Sequence, residues 1–109
     1  MPKRVVIDPD TAILIAAGAL LPSDDCAILA PTLLRSQVLA TLYARVRDGA
    51  LSAEQGLAIN AHFAKLKFRY LGDAVMRRRA WAIADRQGLR STELAEYVAL
   101  AQLQADALV

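Results

Sequence analysis

The chain is predicted to fold as a single α/β domain of three layers, α/β/α, around a short parallel sheet. Three observations lead there. Two strand-like runs, Lys3 to Ile7 and Cys26 to Ala30, are too short for helices and are bounded by Pro or Asp. The segments between and after them place apolar residues at helical spacing. The tail, Ala105 to Val109, is strand-like again. Strands separated by helices favour a parallel sheet with right-handed crossovers. A chain of 109 residues holds one core, so residues 1–109 are read as one domain.

Taken in order, the first strand ends in Val5-Val6-Ile7 and runs into Asp8-Pro9-Asp10. A helix of about three turns is predicted from Thr11 to Leu20, broken by Pro22-Ser23-Asp24-Asp25 before the second strand. Pro31 then opens a long helix from Thr32 to about Asp48. Leu34, Val38, Thr41 and Leu42 share one stripe, and Gly49 supplies the stop. Ser52-Ala53-Glu54-Gln55 fits a capping box, so a further helix runs to about Leu66 and pairs with its predecessor as a hairpin. Phe68 to Leu71 reads either as an extended piece or as a bend. Asp73 caps a helix that stops at Gly88. Thr92 is expected to cap the last helix, Glu93 to Gln104, whose nearly continuous apolar surface predicts deep burial.

Composition narrows the class. The hydrophobic fraction of 56% and mean hydropathy of +0.31 exceed the ordinary level of roughly 45–50% apolar, so apolar surface is left over for a partner. The apolar stretch Ala12 to Leu21 is about half the roughly 20 residues a membrane span needs. No signal-peptide core follows Met1-Pro2-Lys3-Arg4. The one cysteine, Cys26, rules out an internal disulfide and fits a reducing cytoplasm. Cys26 and His62 alone cannot build a zinc site, and both are read as packing residues.

Net charge is only +2 but lopsided. Lys65 to Arg90 holds eight basic residues against two acids, while the remainder holds five against nine. Such a split suits a polyanion lying beside an acidic pocket. It equally suits solvated helix faces with local ion pairs, such as Asp73 with Arg77 at i,i+4.

Two residues stand out as carriers of chemistry. Asp8 closes a buried strand, where the crevice of an open α/β sheet gathers ligands and an acid can hold a hard cation. Asp8 or Asp10 can instead cap the helix that follows. Gln37 turns a polar amide inward from the stripe of Leu34, Val38 and Thr41. Such a group needs a partner, either a metal-site neighbour or backbone and water.

The order Val-Val-Ile-Asp8, then Ala30-Pro31-Thr32-Leu33-Leu34-Arg35-Ser36-Gln37-Val38, Tyr70-Leu71-Gly72-Asp73, Arg77-Arg78-Arg79-Ala80-Trp81 and Ala95-Glu96-Tyr97-Val98-Ala99-Leu100-Ala101 resembles a PIN domain across nearly the whole chain. The nearest subgroup is the VapC-type toxin of toxin-antitoxin systems. The resemblance implies a metal-dependent endoribonuclease with Mg²⁺ or Mn²⁺ on an acid cluster, an antitoxin partner, RNA as substrate and a homodimer. Asp8 matches the first family acid. The second falls on Gln37 and the third on Leu94, while the fourth is expected in a turn after the final strand, past Val109. The strand-turn end of the family is therefore expected to be missing.

Gln37 keeps a carbonyl oxygen but loses the negative charge, and Leu94 offers no oxygen. Asp10, Glu93 and Glu96 are candidate substitutes. Asp10, where the family has a small polar residue near the metal, is the best placed of the three, and Glu93 lies about 100° around the helix from the required position. Glu93 and Glu96 also suit the first turn of a helix on electrostatic grounds alone. The expected catalytic positions are Asp8 and Gln37, the metal ligands Asp8 with Asp10 or Glu93, and the RNA contacts Arg77, Arg78 and Arg79. Two functions follow: a weakened or inactive PIN-type ribonuclease, or a non-catalytic interaction or RNA-binding module on that scaffold.

Overall fold

A computed structural model describes residues 3–109. The described residues form four strands, β1 (Lys3–Val6), β2 (Cys26–Pro31), β3 (Arg69–Leu71) and β4 (Ala107–Leu108), and five helices, α1 (Pro9–Ala16), α2 (Leu34–Arg47), α3 (Ala53–Lys65), α4 (Ala74–Gln87) and α5 (Glu93–Gln104). All strand pairs are parallel, in the order β3-β2-β1-β4. The domain is therefore α/β, compatible with three layers, as the alternation of short apolar runs and helical segments predicts.

The topology follows from crossover handedness. From β1 the chain moves outward through β2 to β3, with α1, α2 and α3 in the connections and packed on one another. It then returns past β1 to β4 through α4 and α5, which pack together, and α5 lies against β1 and β2. A right-handed crossover in the reverse direction falls on the opposite face of the sheet. Val6, Leu34, Val38, Leu42 and Leu100 are the largest fully buried side chains beside Pro31, within one core cluster that draws on the sheet and on all five helices.

Local signals place the helix ends. Ser52 and Gln55 form the capping box expected of α3, and Asp73 caps α4 through the Met76 N–H. Gly49 and Gly88 take positive φ (82° and 65°) after α2 and α4, a conformation other residues adopt only with strain. Gly56 has a different reason. It faces α2 so closely that a Cβ there would stand 2.8 Å from Val46 Cγ2, and the helical hairpin closes over it.

Several boundaries differ from expectation. Helix α1 starts at Pro9 and ends at Ala16, since Asp8 caps it and Gly18 turns the chain away with φ +79°. Helix α2 begins at Leu34, two residues after the predicted Thr32. The ambiguous Phe68–Leu71 segment contains a strand, β3. Thr92 accepts no capping bond, and the Glu93 N–H instead donates to Ser91 Oγ at 3.2 Å. Helix α5 is not buried all round: Tyr97 and Leu100 are, but Leu94 is 62% exposed because its flank of the helix start has nothing packed over it. His62 is exposed rather than packed, while Cys26 packs half-buried against the core.

Candidate functional site

In a parallel sheet whose order reverses beside β1, right-handed connections run to opposite faces, and the carboxyl ends of the strands there are the expected place for a crevice. Asp8 stands there, half-buried, two residues past β1. Its backbone N–H donates to the Val109 carbonyl at 2.9 Å, and its Oδ1 accepts from the Thr11 N–H at 2.8 Å. Asp8 is thus the N-cap of α1, with Pro9 at the first helical position.

Across the crevice, α2 and α5 are tied by side chains. Gln37 Oε1 accepts from the Tyr97 hydroxyl at 2.5 Å, and Gln37 Nε2 donates to Glu93 Oε2 at 2.9 Å. Tyr97 is only 3% exposed, so its hydroxyl depends on a partner within the protein. Burial pushes the Tyr97 phenol well above its ordinary pKa, and the negative charges of Asp8, Glu96 and Glu93 push it further. Gln37, Glu93 and Tyr97 form one hydrogen-bonded group, and the Asp8 carboxylate adds to the charge felt by its phenol. Burial also lifts the Glu96 carboxyl above the usual value, with Arg77 opposing and Glu93 adding to the shift.

The resulting donor set fits a divalent cation poorly. Hard cations take oxygen ligands, and carboxylates supply most of their attraction. Here the Gln37 amide oxygen accepts a hydrogen bond from the Tyr97 hydroxyl, its amide nitrogen donates to Glu93, and one oxygen of Asp8 caps α1. Among the described residues, no three His, Cys, Asp or Glu side chains converge to hold a metal.

The remaining candidates separate. Asp10 pairs with Arg45 at 3.0 Å, on the exposed side of α1 and α2. Arg45 lies eight positions beyond Gln37, about 12 Å further along the helix at 1.5 Å per residue. Asp10 therefore serves the opposite end of α2. The acid of the α5 start that reaches Gln37 is Glu93, and its neighbour Leu94 faces solvent. Three consecutive arginines on a helix point in different directions. Arg77 lines a groove with Glu96, Arg78 is exposed, and Arg79 donates to Gln102 on α5 at 3.2 Å. Arg77 does not pair with Asp73, whose carboxylate is used by the cap of α4.

Two residues of this region escaped the sequence reading. Tyr97 sits in a helix of nearly continuous apolar sequence, where a tyrosine on the buried face signals a hydroxyl in need of an acceptor. Trp81 is 71% exposed on α4 and forms a wall of the groove that Thr32, Ser36, Arg77 and Glu96 complete, a space of 520 Å³. No family model and no curated protein matches the chain.

Proposed function

We propose that this domain is a PIN-like relative of VapC-type toxin ribonucleases that engages RNA but has lost most or all of its phosphodiesterase chemistry. The observation carrying this reading is the double hydrogen bond of Gln37, to Tyr97 and to Glu93. A residue in the place of a ligand acid has become a tie between α2 and α5. The Mg²⁺ or Mn²⁺ that the resemblance implies lacks a fitting donor set, so no hydrolytic step is routed through it. RNA engagement draws support from the basic segment Lys65 to Arg90 and from Arg77 and Arg78, which stand exposed without an ion-pair partner among the described residues. Phosphate contacts of this kind give affinity with little sequence choice.

A second reading, a protein-interaction module, is favoured by a separate feature. An almost wholly apolar groove of 250 Å³ lies between α2 and α3, lined by Leu39, Tyr43, Val46 and Leu57. Its apolar lining would suit an antitoxin or a second copy of the chain. No helix among the described residues is long and apolar enough to cross a membrane, and we assign the domain to the cytoplasm on its single free cysteine.

Both parts are tested by incubating labelled single-stranded RNA with the protein and Mn²⁺, then measuring retention and cleavage separately. Retention at low salt that falls steeply as salt rises, with no cleavage above the buffer control, is the expected result. Efficient Mn²⁺-dependent cleavage contradicts the loss of chemistry, and absence of retention contradicts RNA engagement.

A further inference from the structure

Trp81 is the only tryptophan of the chain and one of its most exposed large apolar side chains, at 71%. An exposed indole offers a broad, flat and rigid aromatic face that a ligand can cover. It stands between two grooves. On one side lies the space with Thr32, Ser36, Arg77 and Glu96, and on the other a space of 480 Å³ with Asp85, Arg90, Ser91 and Glu93. Each groove thus carries one arginine, and Arg77 precedes Trp81 by one helical turn on the same face of α4.

The chemistry selects what fits. Carboxylates within the grooves repel a phosphate but accept hydrogen bonds from the amino edge of a base. The arginines attract the sugar-phosphate backbone, and the flat indole takes a base regardless of its identity. A protein partner is better served by the dry groove between α2 and α3, since the walls beside Trp81 mix charges and hydroxyls. We propose that Trp81 is a platform on which one base of single-stranded RNA stacks, with Arg77 and Arg90 holding the backbone on either side. This rests on the RNA reading above and names the contact through which it acts.

The lone tryptophan is its own reporter. A single-stranded RNA octamer of mixed sequence is titrated into the whole protein while Trp81 emission is followed, and retention of the same RNA is measured on Trp81→Ala and Trp81→Phe. We expect emission to be quenched with the midpoint of retention. Trp81→Ala should weaken retention roughly 5- to 150-fold, the range for loss of one stacked base, and Trp81→Phe, which keeps an aromatic face, should recover most of it. Intact retention with unchanged emission and no effect of Trp81→Ala overturns the platform while leaving RNA engagement standing. Absence of retention by the unmodified protein overturns both. An emission change on raising protein concentration without RNA shows Trp81 covered by a second copy, and also overturns the proposal.

Discussion

Removing the Tyr97 hydroxyl tests the tie between α2 and α5 at its buried end. Tyr97→Phe keeps the ring in its place and deletes only the donor to Gln37 Oε1. A hydrogen bond of this kind contributes about 0.5–1.5 kcal/mol net, and an abandoned buried group costs about 1–3. Gln37 is half-buried, so water reaches part of its freed oxygen and the lower range applies. We predict a loss of about 1 kcal/mol for Tyr97→Phe, a fall in Tm of about 4–8 °C for a domain near this size. Gln37→Ala strands a phenol that is 3% exposed and should cost about 2 kcal/mol. The double variant should lose about 1 kcal/mol less than the sum, because the shared bond is removed once. Thermal and urea unfolding followed by circular dichroism measure all four proteins. Single losses that add within about 0.3 kcal/mol, with Tyr97→Phe neutral, would refute the coupling and with it the structural role of Gln37.

Three further outcomes are expected. Gly56→Ala should destabilise by about 1–3 kcal/mol in spite of a helix-propensity gain of about 1, because the new Cβ meets Val46 Cγ2, and Val46→Ala should restore most of the loss in unfolding experiments. The Glu96 carboxyl is raised on folding, so its contribution is fully present below the unfolded value near 4.5 and is lost as pH rises through the folded value. Glu96→Gln should therefore gain in Tm relative to the parent between pH 4 and pH 7, and a pH-independent difference would contradict the cause assigned. Arg77→Ala with Arg78→Ala should weaken RNA retention and make the salt slope shallower by about 1.4, two phosphates at about 0.7 each. An unchanged slope removes these arginines from the interface.

The sheet and its helices were legible because their signals are local. Val5-Val6-Ile7, the Ser52 capping box, Asp73 and Gly88 each act within a few residues, and the structure places an element boundary or a buried strand at each. The start of α1 differs from the expected Thr11 because Asp8 has two possible uses, and the sequence does not say that its carboxylate closes on the Thr11 N–H. In the site, the need of Gln37 for a partner was legible, but the partner was not. Tyr97 lies 60 residues away on another helix, and only the folded crossover brings the two together. Glu93 is a similar case: its reach toward Gln37 depends on where α5 starts, and boundaries depend on caps such as Ser91 that one sequence marks weakly.

The most direct measurement is calorimetric titration of Mn²⁺ into the unmodified chain and into Gln37→Glu. We predict no binding heat for the unmodified chain up to millimolar metal. The substitution sets a new carboxylate beside Glu93 and near the field of Asp8, and should bring measurable Mn²⁺ binding that Glu93→Gln then weakens. Tight Mn²⁺ binding by the unmodified chain would contradict the account of Gln37 as a tie between helices rather than a metal ligand.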